Sequence, residues 1–106
     1  MVYVVDTVQV DAENADEYLQ VVETMGVPVM QEAGARFISC WGSSKDLGEP
    51  VNIKTIWACD DHVEWNEIRK NMVLNPKWFE YSDKISRFWI GGSRRFYYAA
   101  EFSPLG

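Results

Sequence analysis

Every stretch of this chain that reads as a β-strand carries large apolar side chains on both of its faces. In VNIKTIWAC (51–59), Ile53, Thr55, Trp57 and Cys59 fall on one side and Asn52, Lys54, Ile56 and Ala58 on the other, so Ile56 stands opposite Trp57. RRFYYAAEF (94–102) puts Phe96 and Tyr98 on one side and Tyr97 on the other. VYVVDTVQV (2–10) alternates Val2, Val4, Asp6, Val8 and Val10 against Tyr3, Val5, Thr7 and Gln9. A sheet made of such strands needs cover on both sides, and this narrows the available folds more than any other feature.

The helices that could supply the cover are few. After the first strand, Asn14-Ala-Asp-Glu17 has capping-box spacing, and Tyr18, Leu19, Val22, Met25, Val29 and Ala33 form one apolar stripe. Gly26 and Pro28 predict a kink or interruption near Met25, and Gly34 predicts the stop. ARFISCWGSS (35–44) and VNIKTIWAC read as strands joined by the polar turn KDLGEP, with Gly48 and Pro50. Asp61-His-Val-Glu64 repeats the capping-box spacing, so a second helix begins near residue 62, with Trp65, Ile68 and Met72 as its apolar marks. Asn75-Pro76 breaks it and starts another helix through Trp78, Tyr81 and Ile85. Gly91-Gly92 reads as a turn ending that segment, before the last strand at 94–102.

The order is βαββαβ. It predicts a single α+β domain over residues 1–106 with the ferredoxin-like plan, a four-stranded antiparallel sheet with its helices on one face. The uncovered face then needs a partner, and a second copy of the same sheet is the simplest one. The expected assembly is a homodimer whose two sheets enclose a barrel-like interior that the Asp6 face would line.

Charge and cysteine content exclude several functions. The net charge is −6, and residues 1–34 hold Asp6, Asp11, Glu13, Asp16, Glu17, Glu23 and Glu32 with no Lys or Arg, which repels a nucleic-acid backbone. No apolar run approaches a membrane span, and the start lacks the basic and apolar regions of a signal peptide, so the expected location is cytoplasmic. Cys40 and Cys59 with one histidine are too few for a metal centre, and no cofactor is implied. The strand register places Cys40 opposite Thr55, about 13 Å along the strand from Cys59 at ~3.3 Å per residue. A disulfide needs Cα atoms within ~7 Å, so both thiols are expected to be reduced.

Four stretches carry a resemblance to a known family: GARFISCWGSS entering a hairpin, NIKTIWACDDHVEW as strand then helix, MVLNPKW, and the terminal EFSPLG. In order and spacing they are similar to the NIPSNAP branch of the dimeric α+β barrel superfamily. Relatives tend to carry a glutamate–arginine–tyrosine alternation on the first strand, where this chain has Val4, Asp6 and Val8, leaving Asp6 the lone polar member. Similar barrels include cofactor-free monooxygenases, polyketide cyclases, lactone isomerases, haem-handling enzymes and ligand-binding modules.

Among candidate residues, Asp6 is either a proton-shuttling acid or base, its pKa raised among valines, or the partner of Arg36 or another cation on a neighbouring strand. His62, at the first position of its helix, is a neutral base, a haem or metal ligand, or simply a polar residue at a helix start. Trp57 and Trp78, with Trp65, Tyr81 and Trp41, are the aromatic residues chosen to line a pocket for a flat or greasy ligand. Cys59 lacks a nearby base to activate it. These features favour a cofactor-independent isomerase, cyclase or lyase acting on an aromatic, terpenoid or polyketide-like molecule. The alternatives are a cofactor-free monooxygenase of the same barrel type and a non-catalytic ligand-binding or interaction module.

Overall fold

The computed structural model describes residues 1–45 and 50–104. The chain runs β1 (Val2–Val10), a 3-10 turn (Ala12–Asn14), α1 (Ala15–Val21), a π-helical turn (Val22–Gly26) and α2 (Val27–Ala33). It continues through β2 (Arg36–Gly42), β3 (Val51–Cys59), α3 (His62–Val73), α4 (Pro76–Ser86) and β4 (Gly91–Tyr97). The strands form one antiparallel sheet in the order β2-β3-β1-β4, the ferredoxin-like arrangement expected from the element order. The turn residue Gly48 lies outside the described residues. Among the described residues no helix is long and apolar enough to cross a membrane.

Register settles which side chains share a face. Val4 pairs with Trp57 and Phe96, Asp6 with Thr55 and Arg94, and Val8 with Ile53 and Gly92. Val2, Val4, Val8 and Val10 are buried, so this is the face the helices cover. Cys40 stands opposite Thr55 as the sequence register implies, its Sγ 3.6 Å from the Thr55 hydroxyl, and both cysteines are free. Tyr3, Val5, Ile56 and Tyr97 lie on the other face with Trp41, which is 63% exposed. The thinnest dimension is 19 Å, room for the sheet and one helix layer only.

Local chemistry explains where the elements begin and end. The first helical region does not start at an Asn14 cap: Asn14 already has helical backbone angles and its side chain caps nothing. A side-chain cap requires an extended residue, and here the extended one is Asp11, from which the 3-10 turn departs. The interruption expected from Gly26 and Pro28 is the π turn, where the Val27 N–H reaches the Val22 carbonyl. Gly34, at φ 112°, ends α2 in a Schellman motif: its N–H donates to Gln31 and that of Ala35 to Met30, both at 3.0 Å. Asp61 caps α3 by accepting the Glu64 N–H at 2.8 Å, while the Glu64 carboxylate accepts the Asp60 N–H at 3.1 Å. Asn75 caps α4 through the Lys77 N–H, with Pro76 in its first turn.

The last strand differs from the sequence reading. It starts at Gly91 rather than Arg94, so Gly91-Gly92 is strand and not turn. A Cβ on Gly92 would sit 3.1 Å from the Thr7 carbonyl oxygen, tighter than ordinary van der Waals contact, so glycine suits the close approach of β4 to β1. The strand stops at Tyr97, whose partner is Tyr3, and Tyr98–Phe102 leaves the sheet.

The core between sheet and helices falls into two clusters. Val2, Val4, Met30, Trp57, Trp65, Ile68 and Met72 pack together at one end. Val8, Val10, Tyr18, Val22, Ile53, Tyr81 and Ile85 pack at the other, and Val27 and Trp78 touch both. Asp6 sits between Val4 and Val8 on β1, at the seam.

Candidate functional site

The seam is hollow. A cavity of about 570 Å³ lies between the sheet and the first and last helices. Its polar wall is Asp6, Thr55 and Arg94 from the sheet, with Tyr18 from α1 and Tyr81 and Ser82 from α4. Trp57, Trp78, Trp89, Val8 and Ile90 make the apolar wall. This corrects the expected placement of Asp6. Its face is the one covered by the protein's own helices, because the buried valines beside it need apolar cover that a helix layer in the same chain supplies. The chamber it lines therefore lies within the single chain, between its sheet and its helices.

Asp6 is paired with Arg94, not Arg36. Arg94 Nε donates to Asp6 Oδ1 at 2.6 Å and Nη2 donates to Oδ2 at 3.0 Å, a bidentate pair directly across the β1–β4 register. Arg36 sits at the start of β2, at the opposite edge of the sheet, where it donates to Asp60 at 2.7 Å. The Asp6 and Arg94 side chains are 22% and 36% exposed, so the pair is neither sealed in nor free in solvent. The Arg94 guanidinium also lies over the Trp65 ring, 5.0 Å from its centre. Two of the three guanidinium nitrogens face Asp6, and among the described residues the Nη1 donors have no hydrogen-bond partner, which suits them to a ligand oxygen.

The two tyrosines are held neutral. Burial pushes the Tyr18 hydroxyl up to about 12, partly offset by a hydrogen bond with Trp89. Burial also raises the Tyr81 hydroxyl, with the nearby Tyr18 adding to the shift. Tyr81 is fixed from behind by Gly26: a Cβ there would come within 2.6 Å of the tyrosine ring. Across the ordinary pH range both phenols are proton donors in the cavity wall.

Of the residues chosen from sequence, Asp6, Trp57, Trp78 and Tyr81 meet at this cavity. Trp65 lies beneath Arg94 without forming the wall. Trp41 is on the open face of the sheet, away from the cavity, because its position in β2 pairs with Lys54. His62 is exposed at the start of α3, its ring 5.3 Å from Phe96 and 6.1 Å from Tyr98, and does not reach the cavity. Cys59 is fully buried, burial pushes its thiol up, and its Sγ donates to the Asp61 carbonyl at 3.4 Å, which leaves no thiolate for nucleophilic work. Among the described residues no group of three or more His, Cys, Asp or Glu side chains could hold a metal ion. Arg94, Tyr18, Thr55 and Trp89 were missed. Arg94 could have been found by starting β4 at Gly91, since the register then sets it against Asp6.

A model of the NIPSNAP family matches residues 3–104. Among solved structures, the chain is similar to a NIPSNAP family protein of unknown function from Agrobacterium tumefaciens, with TM-score 0.87, 24% identity, and 100% of this chain and 94% of that chain covered. It is also similar to an uncharacterised NIPSNAP domain protein from Burkholderia xenovorans, with TM-score 0.84, 23% identity, and 98% and 99% covered. A more distant likeness is to a protein provisionally named an antibiotic biosynthesis monooxygenase from Nitrosomonas europaea, with TM-score 0.68, 9% identity, and 93% and 98% covered. No curated protein matches the sequence.

Proposed function

The chain belongs to the NIPSNAP family, and from that premise and the cavity we propose a cofactor-independent enzyme that moves a proton on a flat, largely apolar molecule. One observation carries the reading: a bidentate carboxylate–guanidinium pair forms the polar end of an aromatic-walled cavity, with guanidinium donors to spare. Asp6 takes a proton from the carbon beside a substrate carbonyl, and the electron pair of that C–H bond moves to the carbonyl oxygen as an enolate. Before the step Arg94 balances the Asp6 charge; after it, Asp6 is neutral and Arg94 balances the enolate. The charge inside the site does not change, so little reorganisation accompanies the transfer. Tyr18 and Tyr81 are the further donors for a substrate oxygen, and Trp57, Trp78 and Trp89 hold the flat body and exclude water. Returning the proton to a different carbon of a conjugated enolate gives isomerisation. Attack of the enolate carbon on a second carbonyl of the same molecule, whose oxygen then takes the proton from Asp6, gives cyclisation. Departure of a β-substituent, displaced by the enolate's electron pair and protonated by Asp6, gives elimination.

The test uses 2-tetralone, a flat aromatic ketone, in deuterated buffer, with exchange beside the carbonyl followed by NMR. The wild-type protein is expected to accelerate exchange, and Asp6→Asn to lower that rate by about 10²-fold or more while the ketone still binds. Full exchange activity in Asp6→Asn defeats the proposal. A second reading, oxygenation without metal or flavin, draws on the three tryptophans in one cavity and the fold shared with the Nitrosomonas protein. Oxygen consumption with 1-naphthol would favour it. Binding of both compounds with neither reaction would leave a ligand-binding module.

The same proposal includes a homodimer. The exposed Trp41 and the half-exposed Tyr97 on the uncovered sheet face support a second copy of this chain as its cover.

A further inference from the structure

A second cleft of about 580 Å³ adjoins the first, with Arg94 and Trp78 shared between the two walls. Its remaining polar lining comes from the flank of α3: Asn66, Arg69 and Lys70. The chain as a whole has 16 carboxylates against 10 lysines and arginines, yet this cleft is lined by three cations and no carboxylate. Two of those cations are occupied: Arg94 by Asp6 at 2.6 Å, and Lys70 by Glu67 at 3.3 Å in an exposed pair. Arg69 has no ion-pair or hydrogen-bond partner among the described residues. An unpaired guanidinium beside an amide, at the mouth of an aromatic-walled cavity, is a ready receptor for an oxyanion.

We propose that the second cleft holds the carboxylate of an amphipathic substrate, with Arg69 as its main partner, Asn66 assisting, and the substrate's flat apolar body reaching past Trp78 into the first cavity. This rests on the inner cavity being the ligand site and adds the substrate's class: an aromatic or polycyclic carboxylic acid, not a neutral hydrocarbon. One free guanidinium matches one negative charge; a phosphate dianion would call for a second free cation, and Lys70 is already paired with Glu67.

Calorimetric titration with 1-naphthylacetate, its neutral amide and 1-naphthyl phosphate separates the possibilities. The wild type is expected to bind the acid roughly tenfold or more tightly than the amide. Arg69→Gln should erase that preference while leaving amide affinity unchanged, and Arg69→Lys should restore part of it. Arg69 is exposed on its helix, so both variants are expected to fold. Equal affinity of the wild type for acid and amide overturns the anion site but leaves the inner cavity standing. Preference for the phosphate overturns the carboxylate assignment. An Arg69→Gln loss common to acid and amide assigns Arg69 a structural role and overturns the proposal. Failure of every compound to bind removes the inner cavity as a ligand site, and the anion site with it.

Discussion

Asp6 and Arg94 stand 88 residues apart and meet because register leaves them nowhere else to go. Each strips water from the other, so removing one partner leaves a partly desolvated charge unmatched. Asp6→Asn and Arg94→Gln should each cost about 1–2 kcal/mol in urea unfolding, discounted from a sealed pair because Arg94 remains 36% exposed. The double variant should cost less than the sum of the two. A second prediction concerns Tyr18. Its hydroxyl is raised in the folded state to about 12 from 10.0, so the folded chain holds a proton that the unfolded chain gives up. That stabilisation is fully present below pH 10.0 and lost as pH rises through about 12. Tyr18→Phe should flatten the fall in stability over that interval, read by chemical denaturation at stepped pH. At this scale the sequence displayed half of the site. Asp6 was visible as a carboxylate among valines, because an uncompensated charge on a buried face needs a reason. Arg94 was not, because an arginine near a strand end has no address until the strand's first residue is known.

Elements were more legible than residues, since burial enforces period and caps have compact signatures. The Asp61–Glu64 spacing and the Asn75-Pro76 pair marked α3 and α4 with real side-chain caps, whereas the Asn14–Glu17 spacing marked the place where α1 begins, at Ala15, without an extended residue or a side-chain cap behind it. Asp61→Ala should therefore cost about 1 kcal/mol in unfolding free energy, and Asn14→Ala should cost markedly less. Gly26 looked from sequence like a helix breaker, but its more specific use is contact: the Tyr81 ring fills the space a Cβ would take. Gly26→Ala should force Tyr81 toward the cavity and lose about 1–3 kcal/mol, with weakened binding of 2-tetralone as the second readout. Nothing in the sequence could show this, because the ring comes from a helix more than fifty residues away.

At the scale of the molecule, the fold class was readable because six alternating elements leave few arrangements, and the bare second face followed from strands apolar on both sides. Which face held Asp6 was not readable, since both faces of β1 carry valines. If a second copy covers the open face, Trp41→Glu should convert a dimer into a 12.2 kDa species by sedimentation velocity, and a wild-type chain already sedimenting as a monomer would end that idea. The sheet order has one more consequence, for the order of events in folding. β4 follows β1 in the chain by about eighty residues, yet the two are neighbours, and the site's cation arrives on β4. Until β4 has docked, then, one long edge of β1 stays unpaired and the polar end of the pocket lacks Arg94. A chain cut before Gly91 would expose that edge as a sticky template for other strands, so such a truncation is expected to aggregate where the sheet with β4 in place does not.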